Sequence, residues 1–175
     1  RQHLSPAAIQ NLQTQVDAFQ ARSDALRNAE KARVLGEFIG KFIIHAEEDI
    51  PHNRRGAYGM LTNATERLKK ADVKELLTAK SVDKFRSEIV RVTALVDEAT
   101  KKAGLENAHP ILKELEERVD QPIFTDDEPA WKTMGSLESF KAKVRGALYE
   151  VPKDDKDVKS IEARIGKVEP ALRAG

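Results

Sequence analysis

The chain has 175 residues, 40% of them hydrophobic and 34% charged, with no cysteine and 30 basic side chains against 29 acidic ones. That length and mix suit one globular domain with a real core and a leaning toward helix. They exclude a disulfide framework, a thiolate zinc site and a cysteine nucleophile. A formal net charge of +1 lacks the basic excess by which dedicated nucleic-acid binders neutralise phosphates, and no apolar run approaches the ~18 residues of a membrane span.

Ser5-Pro6 predicts a helix start, because serine caps free amides and proline is tolerated at the first helical position. Ile9, Leu12, Val16, Phe19 and Leu26 then recur at spacings of three, four and seven and form one apolar stripe. The phase shifts near Asn28, and Leu35, Phe38, Ile39, Phe42, Ile43 and Ala46 continue on a wider face. Two readings fit: one long bent helix, or two helices meeting around Asp24 to Asn28. Pro51 ends the segment, since it disfavours helical geometry at Ile50.

His52 to Gly56 reads as a connection. Tyr58, Leu61, Ala64 and Leu68 mark the next helix, and Asp72 with Glu75 resembles a capping box for a short turn through Leu77. Ser81 is expected to cap the clearest helix, with Val82, Phe85, Ile89, Val92, Val96, Ala99 and Ala103 at heptad positions and Gly104 as its left-handed terminator. His109-Pro110 opens another helix, with Leu112, Leu115 and Val119 inside. Asp120 to Met134 reads as a loop with one short helix around Trp131, closed by Gly135. Ser136 starts the next helix, with Leu137, Phe140, Val144 and Leu148 inside. Pro152 breaks it, and Asp154 or Asp155 caps the last helix, whose stripe is Val158, Ile161, Ile165, Val168 and Leu172. The expected fold is all-α: a single-domain, mostly antiparallel bundle over residues 1–175, with about five longer helices plus short ones.

Chemistry is sparse. His45, Glu48, Asp49 and His52 would share one face of an unbroken helix, as metal ligands can, but Pro51 interrupts that spacing, so no metal site is expected. No serine sits in a strand-turn-helix elbow, no glycine cluster follows a strand to cradle phosphate, and no catalytic residue or cofactor is assigned. Gly36 and Gly40, one turn apart, predict close approach of another helix or a ligand. Trp131 is either a core plug or an anchor for a partner, the plug being favoured because large aromatics usually find burial.

A non-enzymatic protein-interaction module is therefore the expected function, since apolar residues such as Phe38, Phe42, Val90 and Leu95 lie off the main stripes and need cover. The partner surface is expected where helical spacing lapses: Arg54 and Arg55 on one connection, and Asp126, Asp127, Glu128 and Trp131 on the other. The alternative is a carrier holding a small apolar ligand or lipid between helices, with Gly36, Gly40, Phe38, Ile39, Phe42 and Ile43 as the cavity wall. A start at Arg1 agrees equally with a processed, exported, effector-like protein and with a domain excised from a longer chain.

Overall fold

A computed structural model describes residues 5–120 and 130–174, without the side chains of residues 118–120, 130–136 and 171–174. Six helices make up almost all of it: α1 (Pro6–Asp49), α2 (Arg54–Leu68), α3 (Ala71–Leu76), α4 (Ala79–Asp120), α5 (Ala130–Ala147) and α6 (Lys156–Ala174). There is no strand among the described residues. The fold is all-α, as the helical spacing of the apolar residues predicts.

Several boundaries follow the sequence signals. Ser5 accepts a hydrogen bond from the Ala8 amide at 3.2 Å, with Pro6 in the first turn. Between the two readings of the first segment the structure selects one helix of 44 residues, which stops at Asp49 just before Pro51. Asp155 caps α6, accepting from the Asp157 amide at 2.8 Å.

Others differ, each for a physical reason. Thr78, not Ser81, caps α4, because its hydroxyl reaches the Ser81 amide at 3.2 Å. Asp72 forms no capping box. Lys70 occupies the cap of α3 without a side-chain bond, and Asp72 instead receives both guanidinium nitrogens of Arg67, at 2.7 and 2.6 Å.

Gly104 and Pro110 do not divide α4, which runs unbroken for 42 residues. A Cβ on Gly104 would lie 2.7 Å from Val151 Cγ2 and 3.1 Å from the Ala147 carbonyl oxygen. The glycine serves a close approach, and no described glycine has a positive φ. Proline removes the donor for the Glu106 carbonyl, but Glu106 and Pro110 both lie on the exposed side of the helix, away from the core. The buried row Ala108, Leu112, Leu115 passes the proline without losing phase. Likewise Gly135 does not close a short helix before Ser136, for both lie inside α5.

Contacts divide the chain into residues 1–93 and 94–175. In the first unit, Leu35, Ile39, Ile43 and Ala46 of α1 are buried along with Ala57, Leu61, Ala64 and Leu68 of α2 and Val73 of α3. Arg91 of α4 grips Glu47 of α1 with two hydrogen bonds of 2.8 and 2.6 Å. In the second unit one core joins the later part of α4 to α5 and α6, with Leu112, Leu115, Leu137, Phe140, Val144 and Ile161 near its centre. Arg164 of α6 clamps Glu116 of α4 at 2.8 and 2.6 Å, and Lys101 bridges Asp155 and Asp157 at 2.8 Å each.

Candidate interaction surface

The expected partner residues fare unevenly. Arg54 and Arg55 are not on a loop. Asn53 accepts from the Gly56 amide at 2.9 Å and starts α2 at Arg54, so both arginines sit in its first turn. The expectation of a connection through Gly56 missed this cap, though Asn is among the best capping residues. Arg54 is half-buried and its Nε is buried without a hydrogen-bond partner among the described residues, whereas Arg55 is exposed. Asp126, Asp127 and Glu128 lie outside the described residues, as does the side chain of Trp131, whose backbone belongs to the first turn of α5.

Elsewhere polar groups pair off. His45 Nδ1 lies 3.3 Å from Glu48 Oε2 on the exposed end of α1, and His52 falls beyond the helix. Among the described residues no three His, Cys, Asp or Glu side chains come together as metal ligands. The Arg91 guanidinium holds the Glu47 carboxyl below its usual range by hydrogen bonding, and Arg164 does the same to Glu116. These are clamps between helices, already satisfied.

Gly36 and Gly40 do admit a close neighbour. The Phe85 ring of α4 lies over both, at 3.9 and 3.8 Å from where their Cβ atoms would stand. The wall expected to face a ligand there meets an aromatic side chain of the same chain, while Phe38 and Phe42 stack edge-to-face at 4.9 Å beside it.

The largest unmet demand for cover is elsewhere. Ile9, Leu12, Val16, Phe19 and Leu26 are 56%, 49%, 59%, 74% and 73% exposed. The first buried residue of α1 is Leu35. Near its end this stretch reaches a cleft that Asn28, Lys31 and Val34 line together with Arg67, Asp72 and Glu75. Residues 6–29, none of them buried, are thus an essentially bare helix, ~36 Å long at 1.5 Å per residue. Its backbone is self-sufficient, and side-chain bonds such as Gln13 to Asp17 at 2.9 Å support it locally.

Sequence reasoning located this stripe without assigning it a role. Its spacing alone does not set it apart, because Val158, Ile161, Ile165 and Val168 of α6 recur at the same three, four and three and are buried. Val34 and Phe38, one turn apart beside the Asn28 cleft, are also exposed, whereas Ile44 and Val90 are exposed singly, as surface apolar residues often are.

Comparison with known proteins adds no relative: no family model, no curated protein and no solved structure matches the chain. Among the described residues no helix is long and apolar enough to cross a membrane.

Proposed function

We propose that the protein is a helical interaction module that binds a partner protein through the 6–29 portion of α1. One observation carries the reading: five large apolar residues on a heptad seam stand about half to three-quarters exposed, with no buried residue among positions 6–29 of their helix. Burying such a seam against another helix removes apolar area from water at roughly 25 cal/mol per Å². A helix is the natural complement, since knobs from a partner helix fit the holes between seam residues. The packed part of its own unit, clamped by Arg91 and Glu47, then serves to hold and present the bare helix.

The test places a photo-reactive benzophenone side chain at Leu12 or Phe19 of the full chain, in the cells that make it. Protein adducts are expected at both positions and not at the polar-face position Thr14. Absence of protein adducts at Leu12 and Phe19 overturns the reading.

The carrier reading has one observation of its own. A groove of about 660 Å³ beside α5 and α6 is floored by Val144, Leu148 and Ile165 and edged by Lys141, Arg145 and Lys153, a size within the ~300–1,000 Å³ of small-molecule sites. A co-purifying small molecule in native mass spectrometry, lost on Gly166→Trp at the open side of the groove, supports it. An unliganded mass from its native source removes it.

A further inference from the structure

We infer that the partner of the bare α1 seam is a second copy of this chain, docked antiparallel about a twofold axis between Asp17 and Ala18. The inference rests on the interaction reading above and names its partner.

The first argument is the symmetry of the seam. Ile9, Val16 and Ser23 occupy a positions, and Leu12, Phe19 and Leu26 occupy d positions. In an antiparallel pair each a residue meets a d residue of the other helix. With the axis between Asp17 and Ala18, Ile9 meets Leu26, Leu12 meets Ser23, and Val16 meets Phe19, each pair occurring twice. Every large apolar residue of the seam enters a layer, and the one polar seam residue, Ser23, meets an apolar one.

A second argument is extent. The same axis sets Pro6 opposite Ala29. Pro6 is the first residue of α1, and Asn28 lines a cleft with Arg67, Asp72 and Glu75 of the chain's own fold. The overlap that the seam dictates therefore spans the bare segment and stops where the body of each protomer begins.

Charge at the flanks chooses the orientation. Antiparallel helices set g beside g and e beside e, which brings Gln15 against Arg22 of the other copy and Gln13 against Gln20. Parallel helices set g beside e and would force Arg22 against Arg27, a like-charge contact that destabilises pairing. Nor does the segment suit a lipid surface. Helices that lie on membranes carry a strongly basic polar face, whereas Asp17 and Asp24 balance Arg22 and Arg27 here.

The experiment uses the full chain. Sedimentation equilibrium from nanomolar to high micromolar concentration is expected to show a monomer–dimer equilibrium. Phe19→Asp should raise the dissociation constant at least ~30-fold, as loss of a central anchor does, with helicity by circular dichroism retained because Phe19 is exposed in the monomer. Gln15→Glu should tighten the antiparallel dimer roughly 2–10-fold by facing Arg22 twice, and Arg22→Glu should not. Because the chain has no cysteine, a single introduced thiol carries a unique spin label. Labels on Ala18→Cys should lie close together, while those on Asn11→Cys should be farther apart by an axial offset of ~20 Å, thirteen residues of rise. A chain that stays monomeric, or a dimer indifferent to Phe19→Asp, overturns the inference. Equal label distances at the two positions, or tightening by Arg22→Glu instead of Gln15→Glu, overturns the antiparallel arrangement. If the purified chain is monomeric while benzophenone at Phe19 still captures a different protein, the second copy is wrong and the interaction reading survives. If both experiments are negative, both fall.

Discussion

The bare half of α1 and helix α6 carry the same pattern and meet opposite fates. Ile9, Leu12, Val16 and Phe19 are spaced three, four and three apart, and so are Val158, Ile161, Ile165 and Val168. The α6 set is buried, with Ile161 1% exposed, while Phe19 is 74% exposed. Spacing dictates that a helix forms and which side needs cover. It does not dictate what covers it. For α6 the cover is local, because α5 precedes it and both join one core with α4. For α1 the cover runs out. Its antiparallel neighbour α2 has 15 residues against 44, and α4 touches the later half of α1, with Phe85 at Gly36 and Gly40 and Arg91 at Glu47.

The largest effect that sharpens the contrast comes from matched truncations. Ile161→Ala should cost about 2–5 kcal/mol in denaturant unfolding, the usual range for emptying a packed core position. Leu12→Ala, measured at a concentration where the chain is monomeric, should change stability by no more than ~0.5 kcal/mol, as surface substitutions do. A loss above ~2 kcal/mol for Leu12→Ala in the monomer would break the comparison and show that the seam is covered from within.

Two glycines put the same question at smaller scale. Gly104 lies under Val151 and the Ala147 carbonyl, and Gly166 of α6 has nothing within 4 Å of its would-be Cβ. Gly104→Ala should therefore cost about 1–3 kcal/mol through overpacking against backbone that cannot move aside. Gly166→Ala should stabilise by about 0.5–1 kcal/mol, because alanine favours helix and meets no obstacle. Thermal melting of the two variants decides it. Equal shifts would mean that the α4–α5 approach is looser than the distances state.

Much of this was legible in the sequence, and the failures are instructive. The all-α fold, the Ser5 cap, the stop at Pro51 and the Asp155 cap all followed from residues acting on their own backbone. The breaks assigned to Gly104, Pro110 and Gly135 did not occur, because a local signal yields when tertiary packing demands the longer helix. The clue against a break at Pro110 was present: Ala108, Leu112 and Leu115 keep one phase across it. The seam was equally visible. What was not visible is which stripe finds cover within the chain, since that depends on helix lengths and on where each helix starts. The loop sites suffered from the same limit. Arg54 and Arg55 joined a helix once Asn53 capped it, and Asp126, Asp127 and Glu128 lie outside the described residues.

Covered surfaces have their own weak point. Thr100 is 7% exposed and its hydroxyl has no hydrogen-bond partner among the described residues. An unpaired buried hydroxyl is costly, and replacing it with a methyl of the same shape removes the cost. Thr100→Val should raise stability by about 1 kcal/mol. A loss instead would show that the hydroxyl is satisfied, and chemical denaturation distinguishes the two outcomes.

The smallest effect separates the two stripes by pH. Along the bare half of α1 the only ion pair among the described residues is Asp24 with Arg27, one turn away at 3.8 Å, whereas α6 is tied to α4 by the two-pronged Arg164–Glu116 contact. Hydrogen bonding from Arg164 lowers the Glu116 pKa in the folded protein, and its coulombic attraction adds to this. A carboxyl whose folded pKa is depressed contributes stability that is fully present above its unfolded pKa, near 4.3 for Glu. The contribution is lost as pH falls through the lower, folded value, because the unfolded chain binds the proton first. Glu116→Gln removes it at every pH. The wild type should therefore exceed the variant at pH 7 by no more than about 1 kcal/mol, as half-exposed pairs do, and the gap should close as the pH falls below the unfolded value of about 4.3 and through the lower folded one. Asp24→Asn should change the monomer's stability at pH 7 by no more than ~0.5 kcal/mol, as surface substitutions do. A gap that persists at pH 3 would mean that the Glu116 side chain matters through packing and not through its charge. A larger loss in Asp24→Asn would mean that the bare half of α1 is held by electrostatics reaching beyond its own helix.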